Sequence, residues 1–302
     1  MAKDGPALVT KRAAHQDKAK ALVADIASKL APRAGSFIVT LYGDVVEPRG
    51  LPLWMGNIID ICDLAGISET LVRTAVSRLV ASGRLVGDRQ GRRSYYRLTD
   101  EARLEFAHAA RILFEPTDAS GWRLIWSPGE AVSALEKLGF VKLGGSWLIG
   151  PAKDDLDDRL AQAGAVIFVA EPLSASDRLI QLVAAEWKCA EWEEAYASFL
   201  TLFAPLEAIR IAGQDLSDMH CLQLRLFLVH AYRLAALRDP HLPVEALPPA
   251  WSGAKARALF AALYDWLSPG ADRHAATLQS VEGPLPEQTE IVSRRRQTLR
   301  GV

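Results

Sequence analysis

The sequence predicts an α+β multidomain fold, because three different patterns of apolar residues follow one another along its 302 residues. Helical spacing combined with a hairpin pattern comes first, short apolar strands alternate with helices in the middle, and helical spacing alone follows. We divide the chain accordingly. The predicted segments are a flexible arm or helix at 1–35, a domain at 36–114, an α/β module at 115–173, a helical domain at 174–268 and a flexible tail at 269–302.

The second segment contains two helices and a hairpin in close succession. Helical spacing covers about 54–64 and Glu69–Ser82, and a tight turn separates the two helices. The apolar runs 84–88 and 94–98 flank Gly91, which is typical of a β-hairpin. A helix, a short turn, a second helix and a hairpin in this order predict a winged helix-turn-helix at the N-terminal end.

The second of these helices has two chemically distinct sides. Its apolar side, from Leu71 to Val80, is predicted to pack on the preceding helix. Its polar side presents arginines and hydroxyl groups with no carboxylate among them, and phosphates exclude acidic side chains from a helix in the major groove. Arginine can also bind a guanine edge through two nitrogens. The candidate DNA contacts here are Ser68, Thr70, Arg73, Thr74, Ser77 and Arg78.

The hairpin adds to this local positive charge. Residues 66–97 contain seven arginines and two acidic residues, in a chain whose formal net charge is −1. Arg89, Arg92 and Arg93 flank the hairpin turn, where a wing contacts the DNA backbone or minor groove. The alternative is a structural helical hairpin with a solvated arginine face, which explains the helices but not the missing acids. We therefore predict double-stranded DNA as a partner.

The helical domain contains cations and aromatic side chains of the kinds that bind an anionic ligand with an apolar group. The candidate effector contacts are Trp187, Tyr196, Arg225, His230 and Arg233. The alternative is structural, because the aromatic residues repeat with the spacing of a core stripe. Arg233 could then pair with Asp239, Glu186 or Glu191, since an unpaired buried charge is costly.

Two stretches of the chain resemble the PaaX family, which are repressors of phenylacetic-acid degradation. They are Gly66–Leu79 continuing through Gly91–Thr99, and His230–Arg233 with Arg238–Pro243 and Pro249–Gly253. The resemblance extends over about 36–268. It implies a homodimer that represses an aromatic-acid (phenylacetate-type) catabolic operon from a palindromic operator. It also implies release from that operator when an aryl-CoA thioester binds, typically phenylacetyl-CoA.

The middle segment resembles the ferredoxin-like (Cas2-like) α/β module that accompanies this family. The predicted strands are 122–126, 141–149 and 165–170, with helices at about 128–138 and 154–163. Cas2-like nucleases carry a metal-binding aspartate at the end of the first strand, where this chain has Ser127. This difference argues against the alternative function, a nucleic-acid-processing or CoA-thioester enzyme that carries a winged helix.

Composition and motifs favour a cytoplasmic binding protein over an enzyme. The three cysteines are widely scattered and form no CxxC pair, which suits the reduced thiols of the cytoplasm. No apolar run approaches the roughly 20 residues of a membrane helix. The chain has no GxSxG, HExxH or phosphate-loop motif, so we predict no catalytic residue, no metal site and no cofactor.

Overall fold

The computed structural model describes residues 6–115, 121–127, 135–136, 138–152, 165–172 and 177–301, with the side chains of 6–16 excepted. Helices and several small sheets form an α+β fold. The described residues divide into two compact units. The first contains the residues up to Glu115, Ser198–Leu234 and those from Lys255 onward, and the second contains those from Gly121 to Ala197 and Ala235–Ala254.

This division differs from the predicted segments. The predicted helical domain at 174–268 is not a separate unit, because its residues are shared between both. Helical periodicity shows that a helix has an apolar face but not which element covers that face. In the first unit, residues from this segment bury their apolar side chains together with those of the N-terminal elements.

The N-terminal part of the first unit alternates helices with short strands. In chain order these are α1 (Pro6–Leu30), α2 (Ala34–Leu41), a π-helical turn (Tyr42–Val46), a 3-10 turn (Glu47–Arg49), β1 (Leu53–Trp54), α3 (Met55–Asp63), α4 (Glu69–Ala81), β2 (Leu85–Gln90), β3 (Arg93–Leu98) and α5 (Asp100–Phe114). Strand β3 lies between the other two and pairs antiparallel with both, so that Tyr96 faces Leu53 on β1 and Gly87 on β2.

Local signals explain why α3, α4 and the hairpin begin and end close to their predicted bounds. Gly66 has a φ of 74°, a left-handed conformation that favours glycine in the turn between α3 and α4. Gly91, with a φ of 60°, plays the same role in the hairpin. Thr99 caps α5, because its Oγ1 accepts a hydrogen bond from the Ala102 amide at 3.2 Å.

The packing of α4 differs in part from the prediction. Val72, Ala75 and Val76 are buried, but Leu71 is 57% exposed and Val80 is 40% exposed. Each successive residue on a helix is rotated by about 100°, so a side chain next to a core position lies at the flank of the apolar stripe. The stripe that packs is therefore narrower than the one that the sequence predicts.

The second unit contains a four-stranded sheet. The elements of this unit are β4 (Trp122–Trp126), β5 (Val141–Gly144), β6 (Trp147–Pro151), β7 (Val166–Ala170), α6 (Asp177–Glu186) and the first residues of α7 (Cys189–Ile211). The strands lie in the order β5-β6-β4-β7, and all pairs are antiparallel. Trp122 and Ile125 point to opposite faces of β4, and each belongs to a different apolar cluster.

One predicted strand of this sheet is corrected. The segment 141–149 was expected to be a single strand, but the chain turns back at Gly145, whose φ is 56°, and forms the β5–β6 hairpin. Glycines inside an apolar run therefore mark a turn in this case. The predicted helices at 128–138 and 154–163 lie almost entirely outside the described residues. Ser127, which follows β4, is buried.

The C-terminal part of the first unit is ordered, so the predicted flexible tail at 269–302 is wrong for the described residues. The elements are α8 (Asp218–Ala236), α9 (Gly253–Ala275), β8 (Gln279–Ser280), β9 (Gly283–Pro284) and α10 (Glu290–Arg300). Leu278, Leu285, Val292 and Leu299 are all buried. These four residues lie seven positions apart, which is too wide a spacing to give the i, i+3, i+4 pattern by which a helix is predicted.

A buried arginine also anchors this C-terminal segment. The Arg295 Nη1 atom donates a hydrogen bond to the Gly43 carbonyl oxygen at 2.9 Å. The Arg295 Cζ atom lies 4.5 Å from the centroid of the Phe114 ring. Among the described residues, the helices are all too short or too polar to cross a membrane.

The burial of α10 generates a stability prediction. We expect Leu299→Ala to lower the free energy of unfolding by about 2–5 kcal/mol, because it leaves a cavity beneath the helix. Ile291→Ala, on the exposed side of the same helix, should change it by less than about 0.5 kcal/mol. Urea unfolding followed by circular dichroism measures both, and two silent variants would show that this helix does not contribute to the folded unit.

Candidate nucleic-acid interface

The structure leaves every predicted DNA contact exposed. On and immediately before α4, these are Ser68, Thr70, Arg73, Thr74, Ser77 and Arg78. The hairpin contributes Arg89, Arg92 and Arg93, which are also exposed. The buried residues Val72 and Val76 hold the other side of α4 against the core. A helix anchored in this way can present arginines and hydroxyls to a ligand without rearranging the core.

The polar side of α4 is not free of acid. Glu69 forms an ion pair with Arg73 one turn later, at 2.6 Å between Oε1 and Nη2, and both side chains are 58% exposed. Exposed pairs of this kind contribute at most about 1 kcal/mol, so a phosphate or a base can displace Glu69. The Thr74 hydroxyl donates to the Thr70 carbonyl oxygen at 2.8 Å.

Trp54 is a residue near the hairpin tip that sequence reasoning did not identify. The Arg93 Cζ atom lies 4.9 Å from the centroid of the Trp54 ring, a cation–π contact. A Cβ atom on Gly56 would lie 2.5 Å from that ring, so only glycine leaves room for it. The pairing of β1 with β3 brings Trp54 opposite Tyr95, two residues beyond Arg93. This strand pairing is a tertiary feature that the hairpin pattern alone does not indicate.

A second unpredicted contact ties the hairpin to the π-helical turn. The Tyr42 hydroxyl is buried and donates to the Tyr96 carbonyl oxygen on β3 at 3.0 Å. Burial raises the pKa of Tyr42 well above its usual value, so the hydroxyl stays a donor. Gly87 on the edge strand β2 accommodates the Tyr96 ring, since a Cβ atom there would lie 2.7 Å from it.

Arg225, a predicted effector contact, belongs to a buried cluster of charges. Its Nε donates to Asp44 Oδ2 at 2.9 Å, and its Nη1 donates to Asp272 Oδ1 at 2.8 Å. Arg49 Nη2 donates to the same Asp272 oxygen at 2.8 Å. Tyr264 donates to Asp44 Oδ1 at 2.9 Å. We call Asp44, Arg49, Arg225 and Asp272 the buried charge cluster.

The cluster keeps Arg225 protonated in the core. Burial alone would lower the pKa of Arg225, but the charge of Asp44, with Tyr264 and Asp272, raises it above its usual value. Arg49 is less fully compensated, because burial and the neighbouring Arg225 lower its pKa. The donor groups of Arg225 are thus directed at protein carboxylates in this structure.

His230 and Arg233 both contact Thr40 on α2. His230 Nδ1 lies 2.8 Å from Thr40 Oγ1, and Arg233 Nε donates to the same oxygen at 2.8 Å. Arg233 Nη2 also donates to the Ser36 hydroxyl at 2.7 Å. Arg233 therefore donates to hydroxyl and carbonyl oxygens of α2, and not to the carboxylates that the sequence analysis considered. Asp239 instead accepts a hydrogen bond from Tyr196 at 2.8 Å.

The remaining two candidate effector contacts lie in the second unit. Trp187 Nε1 donates to the Gly139 carbonyl oxygen at 2.9 Å, and its ring meets Trp122 edge-on at 5.7 Å between centroids. Tyr196 is buried and packs edge-on against Trp251. The five predicted residues therefore belong to two different units and do not form a single set of contacts within either.

Comparisons with known proteins identify the family of this chain. The family model for PaaX-like protein matches residues 33–102, and that for the PaaX-like protein C-terminal domain matches residues 187–277. Transcriptional repressor PaaX from Escherichia coli (strain K12) is 32% identical over 255 residues, which cover 78% of this chain and 81% of that protein. The chain belongs to the PaaX family.

One solved structure is also similar to this PaaX-family chain. It is that of the uncharacterized protein Rv0674 from Mycobacterium tuberculosis, with 23% identity and a TM-score of 0.45. The similarity covers 72% of this chain and 89% of that one.

The predicted DNA contacts and the buried charge cluster can be assigned to the two ranges that match PaaX family models. The first contains all nine predicted DNA contacts together with Asp44 and Arg49, and the second contains Arg225 and Asp272. The buried charge cluster therefore joins the two matched regions within the first unit. Helix α10 lies beyond the second match.

The buried charge cluster predicts a large difference between two arginine variants. Arg225→Ala leaves two buried carboxylates with fewer partners, and we expect it to lower the free energy of unfolding by about 3–5 kcal/mol. Arg273→Ala breaks the exposed pair with Asp218 and should cost at most about 1 kcal/mol. Denaturant unfolding of both variants checks this, and equal losses would contradict the role given to the cluster.

The burial of His230 leads us to predict that the free energy of unfolding depends on pH. Burial and then the charge of Arg233 lower the pKa of His230 to about 4. Between pH 6.5 and pH 4 the unfolded chain therefore binds a proton that the folded chain excludes, so stability falls as the pH falls. At pH 5 we expect His230 to account for a loss of about 2 kcal/mol relative to pH 7.

The control for this pH effect is His230→Asn, which retains a polar group but cannot titrate. Unfolding should be measured for both proteins at pH 7 and pH 5. The variant should lose less stability on acidification than the parent. Burial also lowers the pKa of His220 and of His274, but both histidines are common to the two proteins. Identical pH slopes would rule out the assignment to His230.

Proposed function

We propose that this protein is a transcriptional repressor that binds operator DNA through a winged helix-turn-helix formed by residues 36–114. One observation carries the proposal: α4 exposes two arginines, two threonines and a serine while its opposite side is buried in the core. The tight turn before α4 and the basic hairpin after it complete the order of elements in this class of domain. In the proposed complex, α4 is the helix that enters the major groove.

The wing of this domain is the β2–β3 hairpin. Arg89, Arg92 and Arg93 lie at or beside its tip, and Trp54 orders the guanidinium of Arg93. Contacts from the wing to phosphates would set the register of α4 on the duplex and would make binding depend steeply on salt. Arg73 and Arg78 on α4 are then the residues that discriminate between bases.

We infer further that the four-stranded sheet of the second unit belongs to the ferredoxin-like module predicted at 115–173. In a β-α-β-β-α-β arrangement the first and third strands are central, and β4 and β6 are the central strands of this sheet. Buried Ser127 directly follows β4, at the position where the Cas2-like nucleases have an aspartate. The module is proposed to serve assembly of a homodimer rather than catalysis.

The regulated operon and its signal are part of the same proposal. The relative's name, transcriptional repressor PaaX, supports repression, and the family resemblance supports an aromatic-acid (phenylacetate-type) catabolic operon. Two protomers would place their α4 helices in successive major grooves, about 34 Å apart or a multiple of that distance. An aryl-CoA thioester such as phenylacetyl-CoA would release the cytoplasmic repressor from its operator.

The DNA-binding test compares three single substitutions in gel shifts on the upstream region of the gene. Arg73→Ala should weaken binding by about 1–3 kcal/mol and relax the preference at its base pair. Glu69→Gln should tighten binding, because it removes a negative charge near the phosphates and releases Arg73. Arg273→Ala removes the same charge as Arg73→Ala from a site outside the interface and should be neutral.

The sign of the Glu69→Gln effect distinguishes the proposal from a merely structural arginine face. If α4 does not contact DNA, neither Arg73→Ala nor Glu69→Gln should change operator affinity more than Arg273→Ala does. Repeating the titrations at two salt concentrations should give a smaller salt slope for Arg73→Ala if Arg73 contacts a phosphate. Cleavage of the DNA upon addition of Mg²⁺ would instead favour the enzyme alternative.

A further inference from the structure

A cleft of about 1080 Å³ lies within the first unit, beside the helix that the proposed function assigns to DNA. The cleft is surrounded by residues 31–33 between α1 and α2, the first two residues of α2, the turn before α4, α4 itself and the start of α5. Its size reaches the upper range of the pockets that bind small molecules. The apolar part of the lining includes Ile67, Leu71, Ala75, Leu79 and Ala102.

Leu71 is the notable residue of this lining. It is 57% exposed, although the sequence predicts that it packs on the preceding helix. A large apolar side chain that remains in water on a helix directed at phosphates gains nothing from DNA backbone contacts. An apolar group that entered the cleft would cover Leu71 and remove its side chain from water.

Cations also line the cleft. Arg33, Arg78 and Arg84 contribute guanidinium groups, against the carboxylates of Glu101 and Glu105. Arg84 lies 3.7 Å from Glu105, whereas Arg33 and Arg78 make no ion pair with any residue in the described part of the chain. The lining therefore carries a net positive charge beside an apolar wall. This combination suits a ligand with an apolar body and an anionic group.

We propose that this cleft binds an aryl-acyl-CoA thioester, with the aryl ring against Leu71 and Leu79 and a CoA phosphate near Arg33 and Arg78. The inference rests on the proposed function, in which such a thioester releases the operator. It places the effector at a different site from Arg225, His230 and Arg233, whose hydrogen bonds are made to protein groups.

Overlap between the two ligands explains how binding of one would oppose the other. Arg78 and Thr74 line the cleft and are also predicted DNA contacts. A thioester there would bring its phosphates next to the phosphates of DNA and would compete for Arg78. Because linkage is reciprocal, DNA must weaken thioester binding by the same factor by which the thioester weakens DNA binding.

The experiment measures binding of phenylacetyl-CoA to the DNA-free protein by isothermal titration calorimetry. Leu71→Glu puts a carboxylate inside the cleft and should weaken binding at least about tenfold. Val80→Glu is the matched control, because Val80 is a 40% exposed apolar residue on the same helix that does not line the cleft. It should bind phenylacetyl-CoA as the parent protein does, and thermal melts of both variants report their folding.

Hydrogen exchange locates the site without a substitution. Phenylacetyl-CoA should protect amides in residues 31–35, 65–84 and 101–105 of the DNA-free protein. Protection confined to 187–241, or equal affinity of the two variants, would overturn the cleft assignment. No binding by the parent protein would also overturn it.

A parallel gel shift separates these results from the proposed function. If phenylacetyl-CoA releases the parent protein from its operator while Leu71→Glu binds the thioester normally, the repressor proposal stands and the cleft assignment fails. If the parent protein does not bind its upstream DNA at all, the proposed function itself fails, whatever the calorimetry shows.

Discussion

The interaction on which the first unit depends is the buried charge cluster. Two arginines and two aspartates, none more than 4% exposed, meet at distances of 2.8 to 2.9 Å between donor and acceptor. Removing any one of these groups would leave an opposite charge in a medium that solvates it poorly. The π-helical turn, the 3-10 turn, α8 and α9 must therefore come together as one set, and part of the C-terminal family region folds into the same unit as the N-terminal family region.

The cluster is connected to the proposed DNA surface through the π-helical turn. Asp44 lies in that turn, and Tyr42 in the same turn donates to the backbone of β3. π-Helical turns are rare and are often found at functional sites. Here Asp44 in the turn accepts hydrogen bonds from Arg225 on α8 and Tyr264 on α9, whereas Tyr42 in the same turn donates to the hairpin. The same short turn therefore contacts both the two C-terminal helices and the hairpin.

The exposed surface of the unit that concerns function is formed by α4. Helix α4 has a narrow buried stripe, which anchors it, and leaves the remaining side chains in contact with water. The polar ones among them suit phosphates and bases, whereas Leu71 and the cleft beside it suit an apolar ligand. A single short helix thereby offers two kinds of chemistry on adjacent flanks, which is the simplest physical basis for making them mutually exclusive.

The sequence by itself determined the elements whose causes are local and the chemistry of the α4 surface. Thr99 caps its helix and glycines form the turns because those effects act within four residues, and the arginines of α4 are exposed because no apolar neighbour at helical spacing covers them. The tertiary structure decided the rest. Arg225 finds Asp44 across 181 positions of sequence and Arg233 finds Ser36 across 197, so periodicity could show that these charges needed partners but not which ones. The order of the C-terminal segment and the exposure of Leu71 were likewise decided by which distant face covers each side chain, and that depends on packing rather than on spacing along the chain.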